Sequence, residues 1–136
     1  MTRLTNKEKR IKISRDIDIA EAVSKTRELA EAAGLVRAKQ YMVATAASEL
    51  ARNILIHARR GEIAIRILTS GGRKGIEIVA EDSGPGIADI EAAMKDGFST
   101  SGGLGLGLPG TKRLTDEFEI DAQRKVGTKI TVRKWV

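Results

Sequence analysis

The chain has 136 residues, which suits one domain burying about two-thirds of its unfolded surface. It has no cysteine and one histidine, His57, which excludes a disulfide framework, a thiolate zinc site and a cysteine nucleophile and argues against a histidine metal cluster. Net charge is +6, but the basic residues are scattered and one Trp, one Tyr and two Phe are few for stacking on bases, so nucleic acid is not the expected partner; the excess suits a solvated surface, an anionic nucleotide or an acidic partner.

Met1 to Arg10 is charged and lacks an apolar stretch, so it reads as a flexible segment over 1–10 and not as a signal peptide. No apolar run approaches ~18 residues, so no membrane span is expected and a cytoplasmic protein is the default. Residues 11–136 read as a single domain. Ile11, Ile13 and Ile17 lie in a short alternating stretch, the first predicted strand. Asp18 is placed to cap a helix running to about Ala33, with Ile19, Val23, Leu29 and Ala30 as its apolar stripe and Gly34 as its stop. A second, alanine-rich helix runs from about Arg37 to Ala58, with Gly61 as its end. Residues 62–68 alternate strictly and predict a strand with one buried face, followed by a turn over 71–75 and a return strand over 76–81.

The Gly84-Pro85-Gly86 loop breaks regular structure. A short helix is expected over 89–95, a glycine- and serine-rich mobile loop over 96–107, and a helix over about 108–116 with Pro109 in its first turn. Residues 118–123 and 128–134 form a second hairpin around Val126-Gly127, and Trp135 reads as core. Two hairpins plus helices predict an α+β fold: a two-layer sandwich, a mostly antiparallel mixed sheet with helices on one face.

Glu49 and Asn53 are four apart on the second helix, so their side chains share a face. An amide oxygen is a neutral, hard ligand for Mg²⁺, and a carboxylate beside it can take a proton from an attacking hydroxyl or water. Alone, the pair is more often an ordinary polar face; its alanine-rich surroundings argue for a purpose. Asp82 ends a buried-looking strand, where a carboxylate can accept the exocyclic amine of adenine while Gly84 and Gly86 leave room for a flat base. The same residues also make a good turn. The run Gly102-Gly103-Leu104-Gly105-Leu106-Gly107 leads into a predicted helix, an arrangement that suits phosphate binding and also suits a plain flexible linker. His57, one turn after Asn53, fits a helix-packing or dipole role better than the site.

Two apparent motifs fail on context. Gly105-x-Gly107-x-x-Gly110 matches the dinucleotide fingerprint, but no strand precedes it and no βαβ unit surrounds it. Gly105-x₄-Gly110-Thr111-Lys112 has the lysine and threonine of a P-loop in the wrong order. The H-R-D and D-F-G signatures of eukaryotic-type kinases are absent.

In this order the motifs resemble the GHKL ATPase superfamily: Glu49…Asn53 its N box, Asp82-x-Gly84-x-Gly86 and Gly103-x-Gly105-x-Gly107 its two glycine boxes, and Gly127-Thr128 its terminal Gly-Thr. Within it, Ser48-Glu49-Leu50-Ala51-Arg52-Asn53, Ala80 to Ile87 and Asp96 to Gly105 are similar to the switch serine/threonine kinases of bacterial stressosomes. The resemblance implies an ATP- and Mg²⁺-dependent kinase. Its substrate would be a small STAS-domain scaffold or antagonist protein. Once released, the kinase would activate a downstream effector, of phosphatase or cyclase type. It further implies that Asn53 ligates Mg²⁺, Glu49 acts as base, and Asp82, helped by Thr128, reads adenine. Gly84 and Gly86 would accommodate the base, and Gly103, Gly105 and Gly107 would cradle phosphates and hinge a short lid. The first ten residues are more basic than the family pattern.

The competing expectation is a binding module in which nucleotide only sets a conformation for sequestering or activating a partner. An intact Glu49 argues mildly against it, because a pure binder needs no base. A histidine kinase, which needs a phosphoacceptor hairpin, and the larger ATPases of the superfamily, which need transducer domains, are not the expected readings of these residues.

Overall fold

A computed structural model describes residues 2–84, 107–121 and 127–136. In chain order the elements are β1 (Thr2–Ile13), α1 (Asp16–Ala33), α2 (Arg37–His57), β2 (Gly61–Ser70), β3 (Arg73–Asp82), α3 (Gly107–Leu114), β4 (Glu117–Asp121) and β5 (Thr128–Trp135). The strands form one sheet in the order β1-β2-β3-β5-β4. All four pairings are antiparallel, so the described sheet is purely antiparallel, not mixed as the sequence suggested. The fold is α+β, with the helices layered on one face. The helix expected over 89–95 and the loop expected over 96–107 lie outside the described residues, except that Gly107 already begins α3.

The register explains the layers. Ile63, Ile65 and Ile67 of β2 stand opposite Ala80, Ile78 and Ile76 of β3, and Ile130 and Val132 of β5 continue two of those rows. Successive side chains on a strand alternate faces, so these residues form one apolar sheet face. Leu29 of α1 and Val43, Leu50 and Ile54 of α2 bury against it. Each such side chain contributes about 1.5–3 kcal/mol when fully buried. On α2, Ala46, Ala47 and Ala51 are wholly buried, and their small volume brings the helix close to its neighbours.

Several boundaries differ from expectation. β1 begins at Thr2 and pairs with β2 through a register shift between Leu4 and Glu8, so residues expected to fray belong to an edge strand. The strand stops at Ile13, and Ile17 lies in the first turn of α1 with its side chain exposed. Asp18 does cap α1, but from the third helical position: its Oδ2 accepts the backbone N–H of Ser14 at 3.0 Å and of Arg15 at 2.9 Å. Gly34 stops that helix at φ 93°, as its position predicts. α2 ends before Gly61, at Ala58 followed by Arg59 with φ 71°. Trp135 is not core. It follows Val132 by three residues and so takes the opposite sheet face, where its indole N–H donates to Glu117.

On that opposite face, one row crosses all five strands with alternating charge. Glu8, Arg66, Glu77, Arg133 and Glu117 are successive register partners. Their ion pairs measure 2.9 Å (Arg66–Glu8), 3.3 Å (Arg66–Glu77), 2.9 Å (Arg133–Glu77) and 3.2 Å (Arg133–Glu117). The Arg66 hydrogen bond holds the Glu8 carboxyl below its usual range.

Candidate nucleotide site

The C-terminal half of α2 lies over the end of the sheet where β3 finishes and β5 begins. A shallow cleft, open to solvent, lies between them. Leu50, Asn53, Ile54 and His57 line it from the helix; Ala80, Asp82, Thr128 and Ile130 line it from the sheet. Four apolar side chains thus wall a space that holds an amide, an imidazole, a carboxylate and a hydroxyl. That is the usual chemistry of a small-molecule pocket: apolar walls with a few orienting polar groups.

Local backbone fixes Asp82. It is the last residue of β3 and faces Gly61 on β2 and Thr128 on β5. Its Oδ1 accepts the Gly84 N–H at 2.9 Å, closing the Asx turn that the sequence allowed. Two glycines are required here by close approach. A Cβ on Gly61 would lie 2.5 Å from the Glu81 carbonyl oxygen and 2.9 Å from Ile54, so only glycine lets α2 settle over this end of the sheet. A Cβ on Gly127, whose φ is +88°, would overlap the Asp82 carbonyl oxygen. The Gly127 N–H donates to the Gly84 carbonyl at 2.6 Å, tying the start of β5 to the turn after Asp82.

The predicted residues are partly brought together. Asn53, Asp82 and Thr128 share the cleft. Glu49 lies one turn earlier on α2, is not among the lining residues and is about 12% exposed, with its Oε1 3.4 Å from Nη1 of Arg52. At Gly84, the space a side chain would take is filled by Ala58, 2.6 Å from an added Cβ, so packing of the turn on the end of α2 already demands glycine. Gly107 starts α3, where its carbonyl accepts the hydroxyl of buried Thr111 at 3.0 Å and Pro109 occupies the first turn. Gly86, Gly102, Gly103, Leu104, Gly105 and Leu106 lie outside the described residues.

His57, expected to serve helix packing or the dipole more than the site, lines the cleft. Its i+4 spacing from Asn53 was the available signal. Arg52 was overlooked, although the i,i+3 spacing from Glu49 announces the pair. Among the described residues, no three His, Asp or Glu side chains converge on a metal site. Mg²⁺ typically takes only one or two protein ligands and completes its shell with water and substrate phosphates, so Asn53 fits such an ion without a carboxylate cage. No helix among the described residues is long and apolar enough to cross a membrane.

Residues 14–134 match the family described as histidine kinase-like ATPase domain. The chain is 48% identical over 126 residues to serine/threonine-protein kinase RsbT of Bacillus subtilis (strain 168), covering 93% of this chain and 95% of that protein. It is 33% identical over 100 residues to the anti-sigma F factor of Thermoanaerobacter sp. (strain X514), covering 69% of this chain and 68% of that protein. Anti-sigma F factor of Clostridium novyi (strain NT) is 32% identical over 97 residues, 68% of each chain.

Proposed function

The chain belongs to the histidine kinase-like ATPase domain family, as a serine/threonine-protein kinase within it, and from that premise we propose that it phosphorylates a small STAS-domain scaffold or antagonist protein in a stressosome-type partner-switching module. The observation that carries this is the shared cleft, which sets Asn53 of α2 across from Asp82 and Thr128 of the sheet. One oxygen of Asp82 is engaged by the Gly84 N–H, and the other is the acceptor for the adenine amine. Thr128, opposite Asp82, adds a hydroxyl to the same end of the pocket. Leu50, Ile54, Ala80 and Ile130 exclude water from the faces of the base.

Asn53 would hold Mg²⁺ through its amide oxygen, and the ion would supply neutralisation of phosphate charge. Gly84 and Gly86 border the base. Gly102, Gly103, Leu104, Gly105, Leu106 and Gly107 cradle the phosphates with backbone N–H groups. In the transfer, the acceptor hydroxyl oxygen bonds to the γ-phosphorus as the bond to the departing ADP oxygen breaks. The hydroxyl proton passes to Glu49. Arg52 holds that carboxylate in place until the acceptor arrives. The phosphorylated partner releases the kinase, which then activates a phosphatase- or cyclase-type effector in the cytoplasm.

The test is incubation of the protein with Mg²⁺ and γ-labelled ATP in a lysate of its source cells, beside Glu49→Ala. The expected result is one small labelled acceptor, seen with the parent alone, while the variant still binds ATP. Absence of label with nucleotide binding intact would replace this reading with a nucleotide-gated binding module. Equal labelling by the variant would remove Glu49 from the role of base.

A further inference from the structure

Far from the cleft, three side chains form a compact cationic stack. Tyr41 is exposed on the N-terminal part of α2. The Arg27 guanidinium of α1 lies 4.5 Å from its ring centroid, and that of Arg37, one turn before Tyr41, lies 6.0 Å away. Arg27 also approaches the phenol oxygen through Nη2 at 3.5 Å. Among the described residues, Arg10, Arg15, Arg52, Arg66 and Arg133 each have a carboxylate within 4 Å. Arg27 and Arg37, like Arg59, Arg60 and Arg73, have none among the described residues, and Arg27 Nε is buried without an acceptor.

Two cations held against one ring repel each other. Cation–π attraction offsets part of that. The stack holds the Tyr41 hydroxyl pKa below the usual phenol range, first through a hydrogen bond from Arg37 and then through the charge of Arg27. The surrounding surface adds to the excess, because α2 has no acidic residue in its first turn. Adjoining Arg37 and Tyr41 in the chain, Val36 and Met42 are exposed at 62% and 38%. Arginine, tyrosine and methionine next to apolar surface is the composition of an interface centre.

We propose that Arg27, Tyr41 and Arg37, with Val36 and Met42, form a docking surface for an acidic segment of a protein partner that presents paired carboxylates beside an apolar side chain. Charge complementarity selects this occupant: the planar guanidinium fork matches carboxylate geometry. A nucleic-acid strand fits less well, because the one aromatic ring is already stacked by Arg27 and is not free to receive bases on both faces. Tyr41 and Asn53 are twelve residues apart on α2, about 18 Å along the helix axis, so a partner seated here leaves the nucleotide cleft open. The surface stands independently of the proposed phosphotransfer.

The test uses the full chain and a synthetic peptide of repeating Glu-Asp-Leu, with a Gln-Asn-Leu peptide as control, read by calorimetry and by amide and arginine Nε–H shifts. The expected result is salt-sensitive binding of the acidic peptide alone, with shifts centred on Arg27 and residues 36–42. Arg27→Gln with Arg37→Gln should weaken it roughly tenfold, the sum of two partly exposed charge pairs, with ATP affinity unchanged. Arg37→Gln alone, which removes an exposed side chain, gives an intermediate loss and serves if the double variant misfolds. Equal binding of the control peptide, shifts located elsewhere, or affinity unaffected by either variant would overturn the proposal. So would a single-stranded RNA or phosphatidylserine vesicles binding with the same arginine dependence and greater affinity than the peptide.

Discussion

Thr128 stands directly opposite Asp82 in the β3–β5 ladder, so the carboxylate and the hydroxyl rise from the same sheet face into one cleft. A carboxylate accepting an amine makes a charge-assisted bond. Asp82→Asn removes that charge and should lower ATP affinity by about 1.5–3 kcal/mol. GTP, which lacks the amine, should bind the parent poorly. Thr128→Val keeps the shape and removes the hydroxyl, and should lose about 0.5–1.5 kcal/mol. Calorimetric titration with ATP and GTP checks all three; an Asp82→Asn protein that binds ATP as tightly as the parent would make Asp82 a turn residue only.

Gly127 holds that relationship in place. Its φ of +88° lies in the left-handed region, and any Cβ there would overlap the Asp82 carbonyl oxygen. Gly127→Ala should therefore exceed the roughly 1–2 kcal/mol of a left-handed alanine, because the start of β5 must also move away from β3. Chemical denaturation should show the loss. ATP affinity should fall with it, since the shift carries Thr128 away from Asp82. A variant with lowered stability but parental ATP affinity would show that the cleft tolerates the displacement.

Asn53 and Asp82 are legible as separate motifs, and only the family resemblance, not any local pattern, brings them to one site. The strict alternation of residues 62–68 and 76–81 disclosed which side chains face inward, and the Ala-rich pattern disclosed α2. Register across β3 and β5 joins residues nearly fifty positions apart, and no local pattern encodes it. The N-terminal part of β1, from Thr2 to Arg10, reads as a flexible segment for a related physical reason. Its outward row, including Glu8 and Arg10, is held by ion pairs to Arg66 and Glu62, so it carries no apolar alternation there. The Ile11-Ile13-Ile17 spacing then drew the strand too far, into a helix whose first turn is marked by Asp16 and Asp18.

Glu77 is the hinge of the charged row. It is about 6% exposed and is flanked in register by Arg66 and Arg133. Glu77→Gln would leave two arginines half-shielded without their shared counter-charge. Breaking a fully buried pair costs about 3–5 kcal/mol; with both guanidinium groups partly in solvent, about 2–3 kcal/mol is expected. Glu119→Gln, whose 3.8 Å contact with Arg133 is at the exposed rim, should change stability by less than about 0.5 kcal/mol. Urea denaturation of the two variants checks the contrast; equal small losses would mean the row is solvated and does not act as a unit.

Asp18 should give the protein part of its acid sensitivity. Backbone N–H bonds from Ser14 and then Arg15, with the Arg15 charge beside them, hold its carboxyl below the usual range despite the opposing effect of burial. A carboxyl whose pKa is depressed on folding contributes stability that is fully present above the unfolded value of about 3.9 and fades as pH falls through the folded value. Stability should therefore decline as pH is lowered past about 4. Asp18→Asn keeps an acceptor for the Ser14 and Arg15 N–H groups but cannot titrate, so its stability curve should be flatter below that point. Thermal denaturation of parent and variant between pH 7 and about pH 3 reads the slope directly. Parallel curves would assign the acid loss to other carboxylates, with Glu8 beside Arg66 the next to substitute.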